Sequence, residues 1–255
     1  MIIVLSPSKT IDQNLNIEYK NCSLPLFLPQ SEEIVKNLKR LTVSELEKLM
    51  NVSSKLGELT YDRYQFWNCN HTSKNSWPAI QSFKGDVYTG LGAINFTDAD
   101  LAYANKHLLI FSGLYGILKP MDLIQPYRLE IATKFAIGNH KDLYSFWRDR
   151  ITAELNKKFS NENNPMMINL ASNEYFKSFS KKELNAKIIT PVFKDYKQGN
   201  YKIVSIYAKR ARGLLSSYLI RNKINQIDDI KSFNDEGYIY NSSLSGTNEI
   251  VFTRK

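Results

Sequence analysis

Lys209, Arg210 and Arg212 place three cations within four residues, in a setting where a phosphate would sit. Tyr201–Ala208 reads as a strand from its β-branched and aromatic residues, and Lys209–Lys223 as the helix that follows directly. Ala211, Leu214, Leu215, Tyr218 and Leu219 recur at helical spacing and define a buried face, while Lys209 and Arg212 lie on another. A strand-to-helix turn exposes unpaired backbone N–H groups at the helix start. Cations beside those groups complete a cradle for an anion. They also oppose the helix dipole, a cost that a bound anion removes. The plain alternative is a solvated helix face with ordinary surface charge.

A second set of polar residues is spread over turn-rich segments that mix glycine, proline, aromatics and charge. The segments are Ser6-Pro7-Ser8-Lys9, Lys84–Leu91, Ser112–Glu130 and Asn169–Lys177. Loops of this composition are commonly shaped for a site. Lys9, Lys84 and Arg128 can converge above strand ends to hold an anion, with Asp86 and Glu130 steadying those cations or moving protons. A buried salt-bridge network that fixes a tight core explains the same residues. No Walker loop, dinucleotide-binding glycine fingerprint, serine elbow or two-histidine metal helix is present, and no residue is assigned a catalytic role.

The charge distribution favours a polyanion partner. Residues 176–223 carry twelve Lys/Arg against Glu183 and Asp195, a balance of +10 in a chain whose total is 34 − 25 = +9. A basic block in an otherwise neutral chain is the footprint of a surface that meets polyanions. Hydrophobic residues make up 43% of the 255, enough for a sizeable core, and the longest apolar runs are far too short to cross a bilayer. Met1–Pro7 reads as a first strand and not as an export signal. With only Cys22 and Cys69, no disulfide framework is expected, and a reducing cytoplasm is the expected location. Cys69-x-His71 offers two ligands, short of a metal site, so neither a metal nor another cofactor is expected.

These residues need a scaffold. Strands are expected at Ile2–Leu5, Val87–Gly90, Leu108–Ser112, Met166–Leu170, Ile188–Tyr196, Tyr201–Ala208, Gly237–Tyr240 and Glu249–Thr253. Helices are expected at Ser31–Arg40, Val43–Met50, Ser54–Trp67, Asp98–Lys106, Asp142–Lys158, Lys181–Leu184 and Lys209–Lys223. Lys197-Gln198-Gly199-Asn200 closes an antiparallel hairpin. The softest points are Asn14–Pro29 and Ser160–Pro165, and neither is a linker. The expected fold is α/β (mixed α+β): one domain over 1–255 with a mixed sheet, an antiparallel hairpin and a helical insertion at about 42–67.

That insertion joins two amphipathic helices through only Asn51-Val52-Ser53. It resembles the helix-hairpin-helix DNA-binding motif, which runs apolar-Pro-Gly-apolar-Gly before a basic and a small residue. Leu49, Met50, Asn51, Val52 and Ser53, then Lys55 and Gly57, hold those places here, with both hairpin glycines replaced. Such a hairpin aims backbone N–H groups at a phosphate. A plain αα-corner packing Leu46, Leu49, Val52 and Leu56 into the core accounts for the same pattern.

Taken together, Lys84–Leu91, Ser112–Glu130, Asn169–Lys177, Tyr207–Gly213 and Phe233–Tyr238 resemble the YaaA family of bacterial peroxide stress proteins over nearly the whole chain. Departures are small: Ser8 for the common Ala, Ile131 for Met and Ile206 for Phe. The resemblance implies a cytoplasmic protein that protects against hydrogen peroxide and is associated with low intracellular iron. It also implies binding of double-stranded DNA through a positively charged cleft and a helix-hairpin-helix element. On this sequence the contact then falls to Asn51, Val52, Ser53 and Lys55, with Lys209, Arg210 and Arg212 supplying part of the cleft. An enzyme acting on a phosphorylated or carboxylated small molecule in the same cleft is the alternative, so a small anionic ligand stands beside DNA among the expected partners.

Overall fold

The computed structural model describes residues 1–13 and 21–255; the turn-rich segment beginning at Asn14 lies partly outside them. In chain order the first half comprises β1 (Ile2–Leu5), α1 (Leu28–Leu38), α2 (Val43–Met50), α3 (Ser54–Phe66), β2 (Trp77–Pro78), α4 (Ala79–Ser82), α5 (Asp86–Leu91) and α6 (Asp98–His107). Then come β3 (Leu108–Ser112), β4 (Gly116–Leu118), β5 (Leu123–Ile124), α7 (Leu143–Phe159), β6 (Met166–Asn169) and β7 (Lys187–Lys197). The chain finishes with β8 (Asn200–Lys202), α8 (Ser205–Arg221), α9 (Ile227–Ile230), β9 (Ile239–Tyr240) and β10 (Glu249–Arg254).

This is the mixed α/β fold expected. Five strands run parallel in the order β3-β1-β6-β7-β10, with antiparallel β4, β8 and β9 added to β3, β7 and β10. Every residue of β1, β3 and β6 is buried, as parallel strands covered on both faces require. From β1 the chain goes first to β3 on one side and later to β6 on the other. That reversal is a topological switch point, and the crevice outside the carboxyl ends of such strands is where open α/β sheets bind ligands. Among the described residues no helix is long and apolar enough to cross a membrane.

Local chemistry sets the helix starts. Thr42 caps α2 and Thr97 caps α6, each exchanging hydrogen bonds with an acidic side chain three residues on, and Asp142 does the same with Ser145 at α7. The expected hairpin is present between β7 and β8, with Gln198 and Gly199 at φ of 50° and 82°.

Three expectations fail. Val87–Gly90 is helical, part of α5, although its β-branched and aromatic residues favour a strand. Ser205–Ala208 belongs to α8, so the strand read over Tyr201–Ala208 ends at Lys202. Lys181–Leu184 forms only a turn. The first has a visible cause. Gly90 and Gly213 let α5 and α8 touch backbone to backbone: a Cβ on Gly90 would meet the Arg210 carbonyl group, and one on Gly213 would fall 2.9 Å from the Val87 carbonyl carbon. Packing of two helices at this range overrides the local strand preference of Val87–Gly90.

A buried polar cluster anchors the end of α3. The Trp67 indole N–H donates to the Tyr115 hydroxyl (2.9 Å), as does the Gln125 backbone N–H (3.1 Å). The His71 ring lies 3.1 Å from that hydroxyl and 3.1 Å from the Gln125 side-chain amide. Burial pushes the His71 pKa down to about 4, so the ring is neutral in the fold.

The helix crossing and the buried histidine can each be tested. Gly213→Ala sets a methyl against backbone that has no free rotor, and urea denaturation should show a loss of about 3 kcal/mol. His71 binds its proton more weakly folded than unfolded. Its contribution is therefore complete above about pH 6.5 and declines as pH falls toward 4, by up to roughly 3 kcal/mol. The wild type should lose stability relative to His71→Gln across that window.

Candidate functional site

The loops that leave β1 and β6 are stitched together at the switch point. The Ser172 backbone N–H donates to Ser6 Oγ (2.8 Å), and the Ser6 hydroxyl lies 3.2 Å from that of Ser172. The Tyr88 hydroxyl, on α5, donates to the Ser6 carbonyl (2.9 Å). Above these bonds opens a cavity of about 420 Å³.

Lys9, Lys84, Asp86, Arg128 and Glu130 all line it, and so do Lys209 and Arg212. Residues read from sequence as two separate groups therefore form one site. Lys9 Nζ sits 2.8 Å from Glu130 Oε1, and Arg128 Nη2 is 3.6 Å from the same oxygen. Lys84 is held by Asp12 at 3.1 Å, outside the cavity wall. Tyr64, fully buried on α3, donates to the Arg128 carbonyl and fixes that strap.

The cradle expected at the start of a helix beginning at Lys209 does not form. The α8 helix begins at Ser205, so its free N–H groups lie a full turn before Lys209. Lys209 and Arg212 reach the cavity because residues three apart share a helix face. Arg210, between them, points elsewhere and pairs with Glu236 at 2.6 Å, a contact that raises its pKa.

The Arg212 guanidinium is half-buried without a hydrogen-bond or ion-pair partner among the described residues, and burial lowers its pKa. An uncompensated guanidinium in such a place costs stability unless something pairs with it. Lys209 is exposed at the rim, also without a carboxylate partner among the described residues.

Sequence reasoning marked Asn169–Lys177 as site-like but named no residue in it. Glu174, the one acid in that segment, lines the cavity. Burial, helped by the charge of Glu130, raises its pKa, against Lys9 and the Ala132 N–H. Its Oε1 and the Arg128 Nε are both buried with no hydrogen-bond partner among the described residues. Tyr88, Tyr127 and Tyr175 complete the wall, each at most 8% exposed. Their strand-like or loop contexts offered nothing to separate them from ordinary core aromatics.

The α2–α3 hairpin lies next door. A smaller hollow of about 170 Å³ is lined by Leu49, Met50, Asn51, Ala132 and Thr133, and by Arg128 and Glu130, which it shares with the cavity. Asn51 closes α2 in the left-handed conformation, the geometry for which the motif uses glycine. Ser53 is extended, so the second replaced glycine demands no positive φ. Its side chain makes no cap, and the backbone N–H groups of Ser54 and Lys55, both exposed residues, have no hydrogen-bond partner among the described residues.

Sheet and site together define an α/β protein with a cation-rich cavity at the switch point of a parallel sheet. The chain belongs to the peroxide stress protein YaaA family, whose model matches residues 1–244. It is 50% identical over 255 residues to a UPF0246 protein of Saccharophagus degradans, covering 100% of both chains. A UPF0246 protein of Teredinibacter turnerae is 49% identical, again over 100% of both, and one of Aliivibrio fischeri is 45% identical over 100% of this chain and 98% of its own.

Arg212→Met keeps the side-chain stem and removes the unpaired charge. In low-salt buffer it should stabilise the fold by about 1 kcal/mol. Added phosphate should raise the wild-type melting temperature and leave the variant nearly unmoved, as read by differential scanning fluorimetry.

Proposed function

We propose that this peroxide stress protein binds double-stranded DNA along the face where the α2–α3 hairpin meets the mouth of the cavity. The supporting observation is the shared wall: Arg128 and Glu130 border both hollows, so hairpin and basic cavity lie side by side. The unpaired N–H groups of Ser54 and Lys55 and the exposed Lys55 side chain would take one backbone phosphate, and Lys209 with its neighbours would take others. Backbone contacts of this kind position a duplex without reading its sequence. Protection of DNA fits the cytoplasmic role in peroxide stress that the family resemblance implies. The associated fall in intracellular iron is read as a consequence of that response, not as metal held by this chain.

A second reading, an enzyme acting on a phosphorylated or carboxylated small molecule, is favoured by the size of the cavity. Its volume suits one small molecule and excludes a duplex. Glu174, with its raised pKa, is then the candidate proton donor.

The combined variant Lys55→Ala/Lys209→Ala/Arg212→Ala should bind any duplex more weakly. Its salt dependence should be shallower by about 0.9 for each phosphate that the protein no longer neutralises. Arg210→Ala alone should change little, since Glu236 already neutralises that charge. Fluorescence anisotropy over a salt series measures both, and unchanged affinity in the triple variant would overturn the assignment.

A further inference from the structure

The cavity carries three features, of which backbone contact with a duplex uses only the first. The first is an anion grip: Arg212, half-buried and unpartnered among the described residues, with Lys209 above it at the rim. The second is an aromatic wall whose polar ends are partly consumed. The Tyr88 hydroxyl donates to the Ser6 carbonyl at 2.9 Å, and the Tyr127 hydroxyl is 2.7 Å from Ser112 Oγ, so these residues offer the cavity rings rather than hydroxyls. The third is polar lining: the half-buried side chains of Glu174 and Arg128 both border the cavity, one offering hydrogen-bond acceptors and the other donors.

One ligand class answers all three: a phosphate for the grip, a flat ring for the tyrosines, and an edge bearing both donors and acceptors for Glu174 and Arg128. A simple sugar phosphate lacks the ring, and a small dicarboxylate lacks both ring and donors. The volume of about 420 Å³ suits one such unit.

We propose that the switch-point cavity binds a single nucleotide unit, phosphate at Arg212 and Lys209 and base inward against Tyr88, Tyr127, Glu174 and Arg128. The unit has two sources, a free nucleotide or a nucleotide turned out of a duplex lying on the adjoining hairpin, and the second source rests on the DNA-binding reading above. Enzymes and repair proteins that read a base out of its stack use pockets with the same combination of apolar walls and edge-recognising polar groups.

The test uses the full-length protein and three short fluorescein-labelled duplexes: fully paired, with one unpaired adenosine, and with a base-lacking abasic analogue at that position. In parallel, deoxyadenosine monophosphate, deoxyribose 5-phosphate and inorganic phosphate are compared by thermal shift. Binding about tenfold tighter to the unpaired-adenosine duplex than to the abasic one places the unit within DNA, since a site built for a polar edge rejects a ligand lacking it. Stabilisation by the nucleotide well beyond that by deoxyribose 5-phosphate or inorganic phosphate places a free nucleotide there. Either preference should vanish in Glu174→Gln and in Arg212→Met, with circular dichroism confirming that both remain folded. Equal affinity for all three duplexes, with no nucleotide effect beyond phosphate, overturns the proposal while leaving duplex binding intact. Absence of duplex binding with a clear nucleotide effect overturns the DNA reading and leaves the cavity assignment standing. A preference that survives in both variants overturns the residue assignment.

Discussion

The backbone-to-backbone crossing of α5 and α8 is the constraint on which the site depends. With hydrogen atoms at Gly90 and Gly213, the two helices close to a distance that any side chain would prevent. That closeness brings the first turn of α5, carrying Asp86 and Val87, against the turn of α8 that carries Lys209 to Gly213. The cavity wall is made from both. Tyr88, one residue further along α5, reaches back to the Ser6 carbonyl and ties this helix pair to the end of the first strand. The site is thereby tied to the sheet on which it stands.

Electrostatics inside that frame are unbalanced. Five cations line the cavity (Lys9, Lys84, Arg128, Lys209, Arg212) against three carboxyl groups (Asp86, Glu130, Glu174). Burial, with the charge of Glu130, raises the pKa of Glu174. Lys9 and Arg128 are partly answered by Glu130, and Lys84 by Asp12, whereas Arg212 is left to desolvation alone among the described residues. Folded proteins seldom retain a half-buried charge without compensation unless a ligand completes it. The wider basic block behaves differently. Arg210 is paired with Glu236 at 2.6 Å, so part of that charge is internal architecture.

Much of the scaffold was legible before any coordinates. Val43–Met50 is a helix over the residues expected, because the capping pattern from Thr42 to Glu45 and the apolar period act locally. Ile2–Leu5 and Leu108–Ser112 are strands as expected, being short apolar runs without helical period. The failures cluster at the site. DVYTGL looks like a strand from its own residues and is helical where α8 packs on it, and SIYA, read as the end of a strand, is the first turn of α8. Conflict between local preference and tertiary demand is expected where function shapes the fold.

By itself the sequence determined the mixed α/β class, the hairpin between Val43 and Phe66, the concentration of positive charge, and the family, since these rest on local pattern and composition. It also nominated Lys9, Lys84, Asp86, Arg128 and Glu130, because charged residues amid glycine and proline mark loops shaped for use. Only the tertiary structure decided that these five share one cavity with Lys209 and Arg212, that Arg210 turns away to Glu236, and that Glu174 joins them. The physical reason is distance along the chain. Residues 9, 86, 130, 174 and 212 meet only after the sheet has ordered its strands, and no periodicity within one segment encodes a meeting of five.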